Sequence, residues 1–164
     1  MAPGPYFPGY VVKGNVSDLS SVQDHELGRL TFDGGRILQY VKFGSGVARY
    51  NWVGLDTTAS AGVDKPNTVL ILSDTGTHSP IGVAEYGGTA SSYGWITRFG
   101  AATAKTSLGV SVSVSGVPLT ACSGVTGALN VPGSSSYMAM VRGNAILVTI
   151  PNSTGLAHVN VNCL

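Results

Sequence analysis

The stretch Gly28-Arg29-Leu30-Thr31-Phe32-Asp33-Gly34-Gly35-Arg36-Ile37-Leu38-Gln39-Tyr40-Val41-Lys42-Phe43 decides the fold class. Asp33-Gly34-Gly35 supplies the positive-φ positions of a tight turn, and the flanks alternate with the period of a strand. This reads as a β-hairpin. Working outward, the same grammar recurs: short runs rich in Val, Ile, Thr and aromatics, bounded by Gly, Asp, Asn or Pro. Val47 to Leu55, Thr68 to Leu72, Ile81 to Tyr86 and Tyr93 to Gly100 follow the hairpin. Leu108 to Val114, Val117 to Ala121, Ala128 to Val131, Tyr137 to Arg142, Ala145 to Ile150 and Ala157 to Val161 complete the series. Met138 to Arg142, Gly143-Asn144 and Ala145 to Ile150 read as a second hairpin. No dozen residues free of Gly or Pro show helical period, and Ser17 to Leu30 reads as a loop entering a strand. The pattern predicts an all-β chain: a single β-sandwich or barrel-like domain of about ten short strands, residues 17–164. Residues 1–16 read as an extended N-terminal arm. Three prolines and three aromatics in its first ten residues favour a polyproline-like strap. Pro5, Tyr6, Phe7 and Tyr10 are its candidate contact residues, because such aromatics are poorly placed in water.

Composition narrows the function. Charged residues are 10% of the 164-residue chain, against about 25% in a typical soluble protein. There are 23 Gly, 18 Ser and 14 Thr, and the net charge is +1. A protein that grips nucleic acid by neutralising phosphates needs a basic excess, so nucleic acid is not an expected partner. With 43% hydrophobic residues the chain should fold, unlike a solvated disordered segment. Runs such as Val69 to Leu72 and Ala145 to Ile150 are far shorter than the ~20 residues of a spanning helix, so no membrane partner is expected. Residues 1–10 show neither the basic nor the apolar region of a secretory signal. So little charge protects a free monomer weakly against association. Much of the surface is therefore expected to be covered, and the Ser-alternating run Leu108 to Val114 marks one uncharged strand face.

Catalytic patterns are sparse. Asp74-Thr75-Gly76 after an apolar strand is similar to the catalytic tripeptide of aspartic peptidases. That chemistry needs two carboxylates sharing a proton, hence a symmetric dimer here; a turn of three turn-forming residues is the simpler reading. His25, His78 and His158 are isolated, and no Gly-x-Ser-x-Gly elbow is present. Asp24-His25-Glu26 reads as a solvated loop in preference to a metal site. Asn15-Val16-Ser17 and Asn152-Ser153-Thr154 match the glycosylation pattern by chance at this composition. Trp52, Trp95, Tyr50, Tyr93 and Phe99 could line a sugar groove, but such aromatics more often serve core or interface. Cys122 and Cys163 read as two reduced, buried thiols, with a disulfide as the alternative. The expectation is a non-enzyme with no cofactor and no metal.

Leu27-Gly28-Arg29-Leu30, the hairpin into Gly34-Gly35-Arg36-Ile37-Leu38-Gln39-Tyr40-Val41-Lys42, and Tyr93-Gly94-Trp95-Ile96 followed by Phe99-Gly100 resemble the capsid cement (decoration) proteins of tailed double-stranded DNA bacteriophages. The likeness covers roughly residues 27–100, with a looser match to 150. The arm and the stretch Ser107 to Ser115 depart from it. The resemblance implies a structural virion protein on the outer capsid surface, made in the bacterial host cytoplasm. It implies two partners: the major capsid protein, whose neighbouring subunits it cements against genome pressure, and itself, as a homotrimer. The alternatives are another phage head or tail structural protein, or a β-sandwich receptor or glycan-binding module.

Overall fold

A computed structural model describes residues 19–56, 67–72, 80–107, 116, 118–121, 125–130, 145–149 and 151–163. The hairpin forms where the sequence places it. Gly34 and Gly35 both take positive φ, 54° and 83°, as a two-residue turn between right-twisted strands requires. The turn joins β1 (Leu30–Asp33) to β2 (Arg36–Phe43) with Phe32 opposite Ile37. The next strands are β3 (Trp52–Leu55), β4 (Thr68–Ile71), β5 (Pro80–Ala84) and β6 (Tyr93–Lys105). Then come β7 (Pro118–Ala121), β8 (Leu129–Asn130), β9 (Ala145–Leu147) and β10 (Leu156–Asn162). The all-β expectation holds, with ten strands and no α-helix among the described residues.

Five strands close into a barrel in the order β2-β4-β3-β5-β6, because β6 also pairs with β2. The β2–β4 pair is parallel and the other joints are antiparallel. Closure removes sheet edges. Strand β6 then runs on past the barrel, and β10, β9 and β7 add to its second half as an extra layer.

Strand alternation sorts the apolar side chains into three cores. Val41, Phe43, Val47, Val53, Val69, Ala84 and Ile96 fill the barrel. Their chain neighbours point the other way, as period two demands. Trp52 and Val83 leave the barrel wall to meet Ala102, Ala104, Leu119, Leu147, Ala157, Val159 and Val161 of the extra layer. Leu38, Tyr40 and Trp95 face a third cluster with Leu27 and Tyr93. There His25 sits edge-on to Tyr40, ring centroids 5.0 Å apart, and 5.3 Å from Trp95. The stretch predicted as a loop, entering β1, is thus a cover over an aromatic cluster.

Two predicted boundaries move furthest. Val47 to Leu55 is not one strand: Tyr50 takes φ 70°, turning the chain so that the strand begins only at Trp52. Val47 makes a single bridge to Gly88. Conversely, Tyr93 to Gly100 continues to Lys105. Gly100 takes φ 97° and reads as a stop, yet β10 supplies a partner on its far side, Val161 opposite Gly100. The predicted strands Leu108 to Val114 and Tyr137 to Arg142 lie outside the described residues, as do the 1–16 arm, Asp74-Thr75-Gly76, His78 and Cys122.

Arg98 joins the barrel to the chain's last strand. Between Ile37 and Leu38 the β2–β6 register skips Arg98, leaving it as the extra residue of a bulge. Its guanidinium donates to the Cys163 carbonyl and, at 2.8 Å, to Gln39 Oε1. Gln39 in turn donates to Asn67 at 3.0 Å. Arg98→Ala strips donors from acceptors that are largely sheltered from water. It is expected to cost about 2 kcal/mol, read as a lower urea midpoint at an unchanged slope.

Candidate protein interface

The extra layer has one buried and one outward face. In β10, Ala157, Val159 and Val161 point inward while His158, Asn160 and Asn162 are exposed. In the second half of β6, Ala102 and Ala104 are buried while Phe99 and Ala101 are exposed. In β9, Ile146 is the outward residue, and Val148 beyond it is also exposed. The register sets Phe99 beside Asn162, Ala101 beside Asn160, Asn160 beside Ile146 and Thr103 beside His158. Lys105 is the charged residue among these outward positions. Free sheet faces ordinarily carry mixed charge. The uncharged face inferred from composition is therefore present here on β6, β10 and β9, although the stretch that suggested it lies outside the described residues.

The face continues onto the hairpin as a row of large apolar side chains. Phe32, Ile37 and Phe99 lie opposite one another on three adjacent strands. Phe32 is 71% exposed and Phe99 41%. Leu30, on the same side of β1 as Phe32, is exposed too. Strand β1 is inverted relative to the usual rule, in which the apolar face turns inward. Its Leu30 and Phe32 face outward while Thr31 is buried opposite Leu38. The Thr31 hydroxyl has no hydrogen-bond partner among the described residues, a cost of about 1–3 kcal/mol. A one-residue slip would bury both apolar side chains, yet the tight Gly34-Gly35 turn holds the register. The hairpin thus turns its large apolar side chains outward.

Other sequence candidates disperse. Trp52 is fully buried and donates from its indole nitrogen to the Lys105 carbonyl at 3.0 Å. Trp95 is buried as well. A sugar platform built on the two tryptophans is not on the surface, in keeping with the core role that the sequence favours for them. Tyr40 is buried beside Trp95, and burial pushes its phenol above the ordinary range. Cys163 is buried, and burial pushes its thiol up to about 12, against the opposing pull of the Arg98 charge. Among the described residues no group of three His, Cys, Asp or Glu could hold a metal ion. Asn152 of the second glycosylation pattern folds its own side chain back, accepting from the Thr154 and Leu156 amides at 3.0 and 2.9 Å. Pro5, Tyr6, Phe7 and Tyr10 lie outside the described residues. Sequence reasoning missed Leu30, Phe32 and Ile37 as surface residues. The available signal was Thr31 between two large apolar residues.

No family model matches the chain, and no curated protein matches it. Among solved structures, the fold matches a chain from the capsid of Myoviridae phage XM1 with a TM-score of 0.57. That match covers 92% of this chain and 98% of the other at 15% sequence identity. The chain shares its fold with a chain of that phage capsid.

Proposed function

We propose that this chain is a structural virion protein of a tailed phage, bound to the outer surface of the capsid and cementing neighbouring major capsid subunits. The observation that supports this most is the inverted β1, with Leu30 and Phe32 outward beside Ile37 and Phe99, continuous with a sheet face almost free of charge. Such a surface is unfavourable in water and suits a partner. The fold shared with a phage capsid chain makes a shell protein the reading for that partner. Interfaces with little charge at the centre and aromatic anchors fit the composition. A homotrimer would multiply weak contacts into strong retention, since each later contact forms at high effective concentration. In this reading Pro5, Tyr6, Phe7 and Tyr10 of the arm reach a neighbouring subunit.

Adding the purified protein to undecorated capsid shells is expected to give co-sedimentation and a higher shell disruption temperature. A stable monomer that leaves the shells untouched would sink the reading. The double variant Phe32→Ser/Phe99→Ser removes two surface rings, so its melting temperature should stay within about 4 °C of the parent. Its retention on shells should fall about tenfold or more if the row is an anchor. Unchanged retention would move the interface elsewhere.

A further inference from the structure

Arg49 is an exposed residue held still. Its guanidinium lies 4.6 Å from the ring centroid of Tyr50 and 4.6 Å from that of Tyr86. Its Nε donates to the Glu85 carbonyl at 3.1 Å. Tyr50 adopts a positive φ of 70°, uncommon for a bulky residue and found where surrounding structure over-determines it. Two bonds enforce it: the Tyr50 amide donates to the Ala84 carbonyl at 3.0 Å, and its carbonyl accepts from the Lys105 amide at 2.9 Å. The backbone beneath is also tight, since a Cβ at Gly87 would come within 3.1 Å of the Arg49 nitrogen.

For all this positioning, Arg49 has no acidic partner among the described residues. The ion pairs there belong to Arg36, with Asp33 and Glu85. The Glu85 carboxylate also receives the Thr97 hydroxyl, so it is already engaged. The Lys105 amide donates to the carbonyl of Tyr50, the residue after Arg49, and its ammonium donates to the Thr126 carbonyl at 3.2 Å. Lys105 is the charged end of the otherwise neutral β6–β10–β9 face, so the backbone at Tyr50, next to Arg49, meets the end of that strand.

We infer that Arg49, clamped between Tyr50 and Tyr86, is a preorganised receptor for a carboxylate side chain on the protein that this chain binds. The inference rests on the cladding reading and assigns that partner an Asp or Glu opposite Arg49. Bonding of Nε to Glu85 leaves the Nη groups to form charge-assisted bonds, which are stronger than neutral ones. Stacking has already removed the rotamer freedom that an arginine ordinarily loses on binding. Arg and Tyr are also the residue types that dominate interface hot spots. A phosphate backbone fits less well, because binding it depends on many cations along a track, and the net charge is only +1.

The probe is undecorated capsid shells, with bound protein measured by sedimentation across a salt series. Arg49→Ala and Arg49→Lys are compared with the parent, each checked for an unchanged melting temperature. Arg49→Ala should bind about tenfold more weakly and lose part of the salt dependence. Arg49→Lys should rescue little, since an ammonium neither stacks nor forks in the same way. Parent-like binding by Arg49→Ala, or full rescue by lysine, overturns the carboxylate receptor and leaves the cladding reading standing. Failure of the parent itself to bind the shells overturns both.

Discussion

Replacing Trp52 by alanine is expected to lower the unfolding free energy by about 4 kcal/mol, near the middle of the range for burying no ring where one belonged. Trp52 stands at the joint between barrel and extra layer. Its chain neighbour Val53 points into the barrel, while the indole itself packs with Leu72, Val83 and the layer's Ala and Val residues. Small residues at Ala102, Ala104, Ala145 and Ala157 leave room for the indole, and alanines cannot move to fill it. The variant also orphans the Lys105 carbonyl that the indole nitrogen satisfies. At about 2–4 °C per kcal/mol for a chain of this size, the melting temperature should fall by about 12 °C. A drop under about 3 °C would mean that the indole does not seat the layer on the barrel. The same variant should behave as a folding defect and not as the loss of a sugar platform.

Gly100→Val is expected to be comparably damaging, at about 3 kcal/mol or more, for a different reason. Gly100 sits in β6 where the strand leaves the barrel and enters the extra layer, with φ 97°. L-residues with a branched Cβ avoid that region. Space is lacking as well: a Cβ there would lie 2.8 Å from the Gly35 carbonyl oxygen and 3.0 Å from Arg36 Cα. Both are backbone atoms of the hairpin turn, which is itself committed to positive φ at Gly34 and Gly35. Relief would therefore have to come from shifting the hairpin. Chemical denaturation should show a lower midpoint, and Gly100→Ala should fall between the variant and the parent. Parent-like stability of Gly100→Val would show that the turn yields freely.

The hairpin and most strands were legible because their signals are local. Asp33-Gly34-Gly35 carries its own turn geometry, and Leu156 to Asn162 alternates inside and outside as its residues suggest. Barrel closure was not legible. It depends on β2 pairing with both β4 and β6, contacts distant in sequence that no local pattern encodes. The extension of β6 was hidden because Gly100-Ala101-Ala102 has poor strand propensity, and only pairing with β10 overrides it. Tyr50 misled in the opposite direction: an aromatic in a Val- and Trp-containing run reads as strand, but its carbonyl and amide are claimed by Lys105 and Ala84. The candidate surface was half visible. Low charge foretold an uncharged face, while the outward turn of Leu30 and Phe32 follows from a register that the tight turn imposes.

Strand β6 belongs to both bodies of the molecule, its first half to the barrel and its second to the added layer. This sharing has a kinetic meaning. The ring closes only when Ile37 finds Phe99, and the layer forms only when Phe99 finds Asn162 near the other end of the chain. Both searches pay loop-closure entropy before any reward, which places the chain among topologies that fold in milliseconds to seconds and not microseconds. Until β10 arrives, half of β6 presents an unpaired edge beside an unfinished core. The nascent chain is then most vulnerable to pairing with its copies, at the strand that later holds the finished molecule together.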